Sequence, residues 1–390
     1  MLEKLKKKGF GSMKKRIYHI IAIILLLTLL VGVAAGCSSD NSGSGSSTGG
    51  SSQEQTGGDD TVYKLSLSTH DPTTSNKTKY HQEWADRIFQ DSGGRLEITI
   101  YSDGVLAPGT GALDAVRTGV CDIAWIFPIY WPGQFPMSEI ITLPLGITTV
   151  PQATNILWDL WESDPDYQAE VNEFIPLQIH ANPVSIIGSV NRPIRAISDL
   201  AGMTLRAPGG TPTDSVLAWG GNPLMLAPGD IYQAVERSTI DGYIFEYSGI
   251  VSFGLQEVTN YFTEVPIYLG PYYLFMNKTS YNSLPADLQD ILMKHSTREE
   301  SLEMAYVFEA DWNRGRNAAI DAGATIITAE EANADAFVAV AYEALVTVWV
   351  ENNSRPGFDA QAYADRAKAL AEQYFISRDE LNATLAQMGY

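Results

Sequence analysis

Arg206 is the residue whose type and position point most clearly to a chemical role. It ends the strand-like run "MTLR" and is followed by "APGGTP", whose Pro and Gly favour a turn. The chain has a formal net charge of −20, so the overall field does not attract an anion and any anion site must be built locally. A planar guanidinium presents paired N–H donors at the spacing of a carboxylate, whereas lysine presents a point charge. Arg206 is therefore a candidate carboxylate-binding residue.

The other reactive residue types argue against an enzyme. The histidines show neither HExxH nor another metal-binding spacing. Residues 61–390 contain no GxSxG motif, and "APGGTP" lacks both the GxGxxG spacing and the Lys-Ser/Thr pair of a phosphate-binding loop. Cys121 lies in the apolar run "GVCDIAWIF", which predicts a small buried side chain rather than a nucleophile. We expect no catalytic residue, no metal and no cofactor.

The first 60 residues predict export and attachment to a membrane. A basic segment precedes the apolar run 20–35, whose 16 residues would form about 24 Å of helix, too short to span a bilayer core of about 30 Å. This pattern predicts a signal peptide over 1–36. It ends in "VAAGC", which resembles a lipobox and predicts lipid attachment at Cys37. The Ser/Gly-rich segment 37–60 then predicts a flexible tether.

Processing would make the protein more acidic. Residues 1–36 contain seven Lys or Arg and one Glu, so their removal takes the net charge from −20 to −26. Such a charge argues against nucleic-acid binding. The predicted location is extracytoplasmic, in the periplasm or on the outer face of the cell membrane, with the protein held there by a lipid at Cys37.

The elements that would position Arg206 belong to an α/β fold. Residues 61–390 are long for a single core and predict two domains. The runs "VYKLSLS", "RLEITIY" and "CDIAWIF" read as strands separated by helical segments, which is a β-α-β-α-β pattern. A similar alternation follows, with strands at 203–207 and 224–226, a helix over 213–219 and another beginning at Pro228. Residues 285–321 predict a helix of about 55 Å, and "TAEE" at 328–331 predicts the start of a further helix.

Several motifs resemble those of a known family along almost the whole mature chain. They are "DSGGRLEITIYSDGVL", "AVRTGVCDIAW", "YWPGQFPMSEIITLPLG", "NRPIRAISDLAGMTLRAP", "APGDIYQAVERSTIDG" and "FMNKTSYNSLPADLQ". In order and spacing they resemble the DctP-type solute-binding proteins of tripartite ATP-independent periplasmic (TRAP) transporters. The resemblance implies a periplasmic-binding-protein-like fold with two α/β lobes, each a sheet flanked by helices, and a long helix bridging both. We expect lobe I to comprise 61–183 and 271–310, and lobe II to comprise 184–270 and 311–390.

The resemblance also implies a ligand and membrane partners. In this family the arginine of "DLxGxxxR" binds the ligand carboxylate, and Arg206 occupies that position. The implied partners are a small DctQ-like and a large DctM-like membrane subunit, the latter an ion-coupled permease. The alternative partner is a sensor kinase, to which the protein would present its ligand as a receptor.

Three departures from relatives that bind sialic acid narrow the ligand class. Apolar Phe127, Ile186 and Phe245 stand where those relatives have an acidic residue, a second arginine and an asparagine. A sugar acid would lose hydrogen-bond partners there, at about 1 to 3 kcal/mol for each unmet buried group, and a C4-dicarboxylate would lack a second cation. We therefore expect a monocarboxylate with an apolar or aromatic body, with a sugar acid or C4-dicarboxylate as the alternative. Tyr130, Trp131 and Tyr247 are further candidates for packing against the ligand.

Two other positions are left with two interpretations each. His70 aligns with a ligand-facing loop and could donate a hydrogen bond to the ligand, or it could be an exposed loop histidine. Pro228 lies where it could touch the ligand, but a helix-start proline needs no such role. Glu246, next to Phe245, could accept a hydrogen bond from a ligand hydroxyl or amine, but we expect it to be solvated.

Overall fold

A computed structural model describes residues 61–390, which form one compact unit. The predicted signal peptide, the tether and Cys37 lie outside the described residues. No helix within 61–390 combines the length and the hydrophobicity that a membrane-spanning segment requires.

The first sheet has five strands and forms the core of one lobe. Its members are β1 Tyr63–Ser68, β2 Leu96–Tyr101, β3 Ile123–Ile126, β4 Phe174–Ala181 and β10 Pro271–Asn277. They are ordered β2-β1-β3-β10-β4, with β1 parallel to β2 and β3 and with β10 antiparallel to its neighbours. The predicted β-α-β-α-β pattern at the start of the body is confirmed.

The second sheet has six strands and forms the core of the other lobe. Its members are β5 Ile186–Ser189, β6 Thr204–Ala207, β7 Asn222–Met225, β8 Gly242–Phe245, β9 Tyr261–Thr263 and β11 Thr325–Ile327. They are ordered β11-β9-β5-β8-β6-β7. The predicted strands at 203–207 and 224–226 correspond to β6 and β7, and Arg206 lies near the end of β6.

Helices flank both sheets, as the two-lobed α/β prediction requires. They are α1 Asn76–Asp91, α2 Ala112–Thr118, α3 Val150–Ser163, α4 Pro165–Glu170, α5 Gly210–Ala218, α6 Ile231–Glu236, α7 Tyr247–Ser252, α8 Lys278–Asn282, α9 Ala286–Lys294, α10 Arg298–Asp321, α11 Ala334–Asn353, α12 Ala360–Gln373 and α13 Arg378–Met388. Cys121 is 1% exposed in the first core, and burial raises the pKa of its thiol to about 12, so it packs as a small apolar residue.

The bridging helix is present but shorter than predicted. The segment 285–321 divides into α9 and α10, because the Thr297 side chain accepts a hydrogen bond from the Glu300 N–H and starts a new helix. The 24 residues of α10 span about 36 Å. This helix packs on α3 and β4 of the first lobe and on α7 of the second, so it bridges both lobes.

The "TAEE" segment caps a turn rather than a helix. The Thr328 N–H donates to the Glu331 carboxylate, and the Glu331 N–H donates to Thr328 Oγ1 at 3.3 Å. The chain then passes through Asn333 at a φ of 51°, and α11 begins only at Ala334. The predicted helix start at 328–331 was wrong, because a left-handed residue separates the capped turn from the helix.

The C-terminal helices contact both lobes. α11 packs on α5 of the second lobe, where Trp219 Nε1 donates to the Phe337 carbonyl at 3.1 Å. α12 packs on α3 of the first lobe. The sequence-based boundaries, including the assignment of 311–390 to lobe II, stay a prediction.

Gly315 allows α10 to approach the second lobe closely. A Cβ atom at this position would lie 2.0 Å from the Tyr247 carbonyl oxygen, so an added methyl group must displace backbone. We expect Gly315→Ala to lower the free energy of unfolding by about 1 to 3 kcal/mol, although alanine has the higher helix propensity. Urea denaturation measures the change.

Gly229 provides the matched control, since no atom lies within 4 Å of the Cβ position there. Gly229→Ala should change the free energy of unfolding by less than about 0.5 kcal/mol. A Gly315→Ala protein as stable as the wild type would show that α10 and α7 do not pack as described.

Candidate ligand-binding site

Arg206 is a buried cation with one side of its guanidinium open. The residue is 1% exposed. Its Nε donates to the Leu226 carbonyl at 3.0 Å and its Nη1 to the Ile244 carbonyl at 3.1 Å. Its Nη2 is buried without a hydrogen-bond partner, and none of the ion pairs formed within residues 61–390 includes Arg206. A buried charge is costly unless it is paired, so this arrangement favours an anion against Nη2.

Phe245 and Ile186 form an apolar wall beside the guanidinium. The two residues lie directly opposite each other on the antiparallel strands β8 and β5, and both are buried. The Arg206 guanidinium lies 5.2 Å from the centre of the Phe245 ring, a cation–π distance. Phe245 therefore contacts Arg206, and Ile186 is the cross-strand neighbour of Phe245.

The first lobe contributes Phe127 and Tyr130. Phe127 directly follows β3, and Tyr130 ends the 3₁₀ turn Pro128–Tyr130. Their rings meet edge to face at 5.1 Å, and Phe127 stacks on Tyr272 at 4.6 Å. Burial raises the pKa of Tyr130 to about 12, while the nearby charge of Arg206 acts in the opposite direction. Tyr130 thus reaches the guanidinium from the opposite lobe.

The two lobes are in direct contact around these residues. Thr142 and Thr211 share a hydroxyl–hydroxyl hydrogen bond of 2.9 Å. A Cβ atom on Gly209 would lie 2.8 Å from the Ile129 carbonyl oxygen. Arg206 is therefore enclosed between the lobes, where water is excluded and electrostatic contacts are strong.

His70 belongs to the same enclosure. Its side chain is 7% exposed, and its ring stacks on Trp125 at 5.2 Å. A Cβ atom on Gly109 would lie 3.2 Å from the His70 ring and 3.3 Å from that of Tyr130, so these two residues flank one glycine. Burial lowers the pKa of His70 despite the neighbouring Asp71, and Nδ1 is buried without a partner. The interpretation of His70 as an exposed loop residue was wrong.

Pro228 and Trp131 lie at the margin of the site. Pro228 is buried and begins the 3₁₀ turn before α6, two residues after the carbonyl that accepts from Arg206. Trp131 is half-buried and meets the Tyr130 ring edge to face at 6.1 Å. Their contact with a ligand stays a prediction.

Tyr247 lies in a different set of contacts. Its ring packs against Trp312 at 5.1 Å and Phe262 at 5.5 Å, and its hydroxyl donates to Glu264 at 3.3 Å. Within residues 61–390 its ring contacts are with these two residues, which join β9 and α10 to α7. The contacts describe a packing role, and a ligand-binding role for Tyr247 stays a prediction.

Three site residues were missed or misjudged from the sequence. Tyr268 and Tyr272 are buried tyrosines whose pKa values are raised above the ordinary range, mainly by burial. The charge of Arg206 acts on Tyr268 in the opposite direction. Glu246, expected to be solvated, is only 5% exposed, and its Oε1 accepts from the Ser248 hydroxyl at 3.1 Å. That expectation was wrong because β8 ends between the lobes rather than at the surface.

A buried ion cluster lies behind the site and links the lobes. Lys77 Nζ approaches Asp71 at 3.1 Å and Asp311 of α10 at 4.0 Å, and it donates to Ser252 Oγ of α7 at 2.9 Å. Burial is the largest single effect and opposes ionisation of Asp71, but Lys77, His70 and the hydrogen bond from Ser75 together outweigh it and hold the pKa of Asp71 below its usual value. Lys77 is therefore already paired and does not act as a second free cation.

Residues 61–390 contain no group of three His, Cys, Asp or Glu side chains arranged to hold a metal ion. What the site offers is an arginine with an open donor, apolar walls and tyrosine hydroxyls. These groups can bind and orient an organic anion.

The chain matches the family model "Bacterial extracellular solute-binding protein, family 7" (DctP) over residues 67–352. It is also similar to a TRAP solute-binding protein from Rhodoferax ferrireducens T118, solved with copurified benzoate. The two are 27% identical, with a TM-score of 0.74 and coverage of 80% of this chain and 98% of the other.

Two further relatives illustrate the range of ligands. A marine metagenome TRAP solute-binding protein, from an unidentified microbe, was solved with 3-hydroxybenzoate. It is 23% identical, with a TM-score of 0.74 and coverage of 81% of this chain and all of the other. A monocarboxylate 2-oxoacid-binding periplasmic protein from Nostoc sp. PCC 7120 is 25% identical over 75% of this chain and 79% of its own. The family match covers most of the chain, so this protein belongs to the DctP family of solute-binding proteins of TRAP transporters.

Proposed function

We propose that this protein captures a small organic monocarboxylate with an apolar or aromatic body and delivers it to an ion-coupled TRAP permease. The single observation behind this proposal is the buried guanidinium of Arg206, whose Nη2 has no partner and whose charge has no counter-ion within residues 61–390. A ligand carboxylate would satisfy both needs through charge-assisted hydrogen bonds.

The apolar neighbours of Arg206 support an aromatic body. Phe245 lies against the guanidinium, Ile186 lies opposite Phe245, and Phe127 packs on Tyr130. All three are buried, and their side chains offer no hydrogen bond to a sugar hydroxyl. Aromatic rings prefer such walls because stacking adds to the gain from burial. The Rhodoferax relative with copurified benzoate supports the same ligand class.

The alternative ligands find less support among the charged groups. A C4-dicarboxylate needs a second cation, but Lys77 is engaged with Asp71 and burial lowers the pKa of His70. Structural relatives that bind D-glucuronate exist at 20% identity, and this likeness indicates the shared fold alone. A 2-oxo acid remains within the proposed class, since it too is a monocarboxylate.

Binding would act by stabilising the closed arrangement of the lobes. Arg206 and Phe245 belong to the second lobe, while Phe127, Tyr130 and His70 belong to the first. A ligand that contacts both sets favours the closed form by the difference in its affinity for the two forms. The closed form would then report occupancy to the membrane subunits.

The proposal places the protein outside the cytoplasm, where family members act, with a lipid at Cys37 as its anchor. Its proposed partners are the small DctQ-like and large DctM-like subunits. The alternative is a ligand-presenting receptor for a sensor kinase. Permease genes beside this gene favour transport, and a kinase gene there favours sensing.

We expect Arg206→Ala to weaken benzoate binding by at least about 100-fold, because an enclosed carboxylate would lose its counter-charge. Isothermal titration with protein refolded to remove bound ligand measures the change, and thermal melting without benzoate checks that the fold is kept. Arg237→Ala, at an exposed arginine of the same lobe, serves as the control. Wild-type affinity in the Arg206 variant would refute the carboxylate assignment.

We also expect Phe245→Asn to weaken benzoate binding by roughly tenfold and to improve binding of D-glucuronate, because an amide replaces ring packing with hydrogen bonds. Thermal shift with each acid measures the selectivity. Phe375→Asn, at a residue that is 62% exposed, is the control. Unchanged selectivity would remove Phe245 from the ligand site.

A further inference from the structure

Glu246 is a buried carboxyl group in the ligand enclosure that the binding of a carboxylate does not require. It directly follows Phe245 at the end of β8 and is 5% exposed. Its Oε1 accepts one hydrogen bond, from Ser248, and Glu246 is absent from the ion pairs of residues 61–390. An acidic side chain near a proposed anion site is unfavourable for the anion itself. We therefore ask which group of a ligand would favour a carboxyl group at this position.

Glu246 and Arg206 both lie near the Phe245 ring. A Cβ atom on Gly249 of α7 would lie 2.4 Å from Cζ of Phe245 and 2.8 Å from Oε1 of Glu246, so ring tip and carboxyl border the same glycine. The centre of that ring is 5.2 Å from the Arg206 guanidinium. The guanidinium therefore lies over the face of the ring and the carboxyl lies near its tip.

The tyrosines around the enclosure respond to both groups. Burial is the largest effect and raises the pKa of Tyr130 and of Tyr268; the charge of Arg206 acts to lower both values, whereas that of Glu246 acts to raise both. Glu246 also acts to raise the pKa of Tyr272, which stacks on Phe127. Arg206 and Glu246 therefore both lie near these tyrosines.

Burial and the charges around Glu246 bring the pKa of its carboxyl group close to neutral pH. Burial raises the pKa of Glu246 to about 7, Lys77 of α1 opposes this, and Asp71 before α1 adds to it. The groups that face it are these two ions and the three tyrosines. At pH 8 it is mainly a carboxylate and at pH 6 mainly a carboxylic acid.

We infer that Glu246 is a specificity-determining residue of the ligand site: its carboxylate accepts a hydrogen bond from a hydroxyl group on the aromatic body and disfavours a second carboxylate there. This inference rests on the proposed function. A hydroxyl donor matches a buried acceptor, whereas a like charge in the same enclosure is repelled. The ligand class becomes a hydroxylated aromatic monocarboxylate.

Three kinds of probe with the same ring separate these effects: benzoate, its 3- and 4-hydroxy derivatives, and the corresponding 1,3- and 1,4-benzenedicarboxylates. For the wild type at pH 8 we expect one hydroxybenzoate to bind about tenfold more tightly than benzoate, and the dicarboxylates to bind more weakly than benzoate. Between pH 8 and pH 6 the preference for the hydroxyl should shrink, because the carboxylate is lost. Isothermal titration measures each affinity.

Variants test the role of the carboxyl itself. Glu246→Leu should abolish the preference for the hydroxyl while still binding benzoate, and Glu246→Gln should improve dicarboxylate binding and remove the pH dependence of the ratio. Glu236→Gln, at an exposed carboxyl of the same lobe, should match the wild type. If Glu246→Leu fails to fold, the wild-type and Glu246→Gln ratios alone decide.

The outcomes separate this inference from the proposed function. If the wild type binds benzoate and both hydroxybenzoates equally, or if Glu246→Gln keeps every wild-type ratio, the role of Glu246 is refuted and the monocarboxylate function stands. If the wild type binds none of these acids, the proposed function fails and the inference fails with it.

Discussion

The unpaired charge of Arg206 is the constraint on which the rest of the structure depends. A guanidinium this deeply buried would be unfavourable in an apolar interior, and two backbone carbonyls, Leu226 and Ile244, offset only part of that cost. They fix its direction and leave Nη2 without a partner. In the proposed binding mode the donor is desolvated and oriented before the anion arrives, which lowers the cost of binding.

Both sheets present their site residues at the carboxyl ends of strands. His70 follows β1 and Phe127 follows β3 in the first lobe, while Arg206 lies near the end of β6 and Glu246 follows β8 in the second. Ligands of open α/β sheets bind at this edge, where loops diverge and side chains can converge. Two such edges facing each other explain how a few residues from distant parts of the chain enclose one small molecule.

The sequence predicted what local patterns encode and missed what depends on contacts between lobes. Alternation located the strands, and the structure places Phe245 against Arg206, as the sequence predicted. The roles of Phe127 and Ile186 in ligand binding stay predictions. The break between α9 and α10 was missed because a Thr cap inside a helix-compatible run gives no hydrophobic signal. Glu246 was misjudged because charged residues are usually solvated, and its burial arises only where β8 meets the facing lobe.

The connections between the lobes set the character of their motion. Within residues 61–390 the chain passes from one sheet to the other after β4, after β9 and after β10, and α10 and the pair α11–α12 contact both lobes. These connections restrict the relative movement of the two lobes and favour a rotation that opens and closes the space between them. Because the connected lobes already have a restricted relative orientation, little orientational entropy is lost when they close. More of the free energy of ligand contact is then available to hold the ligand.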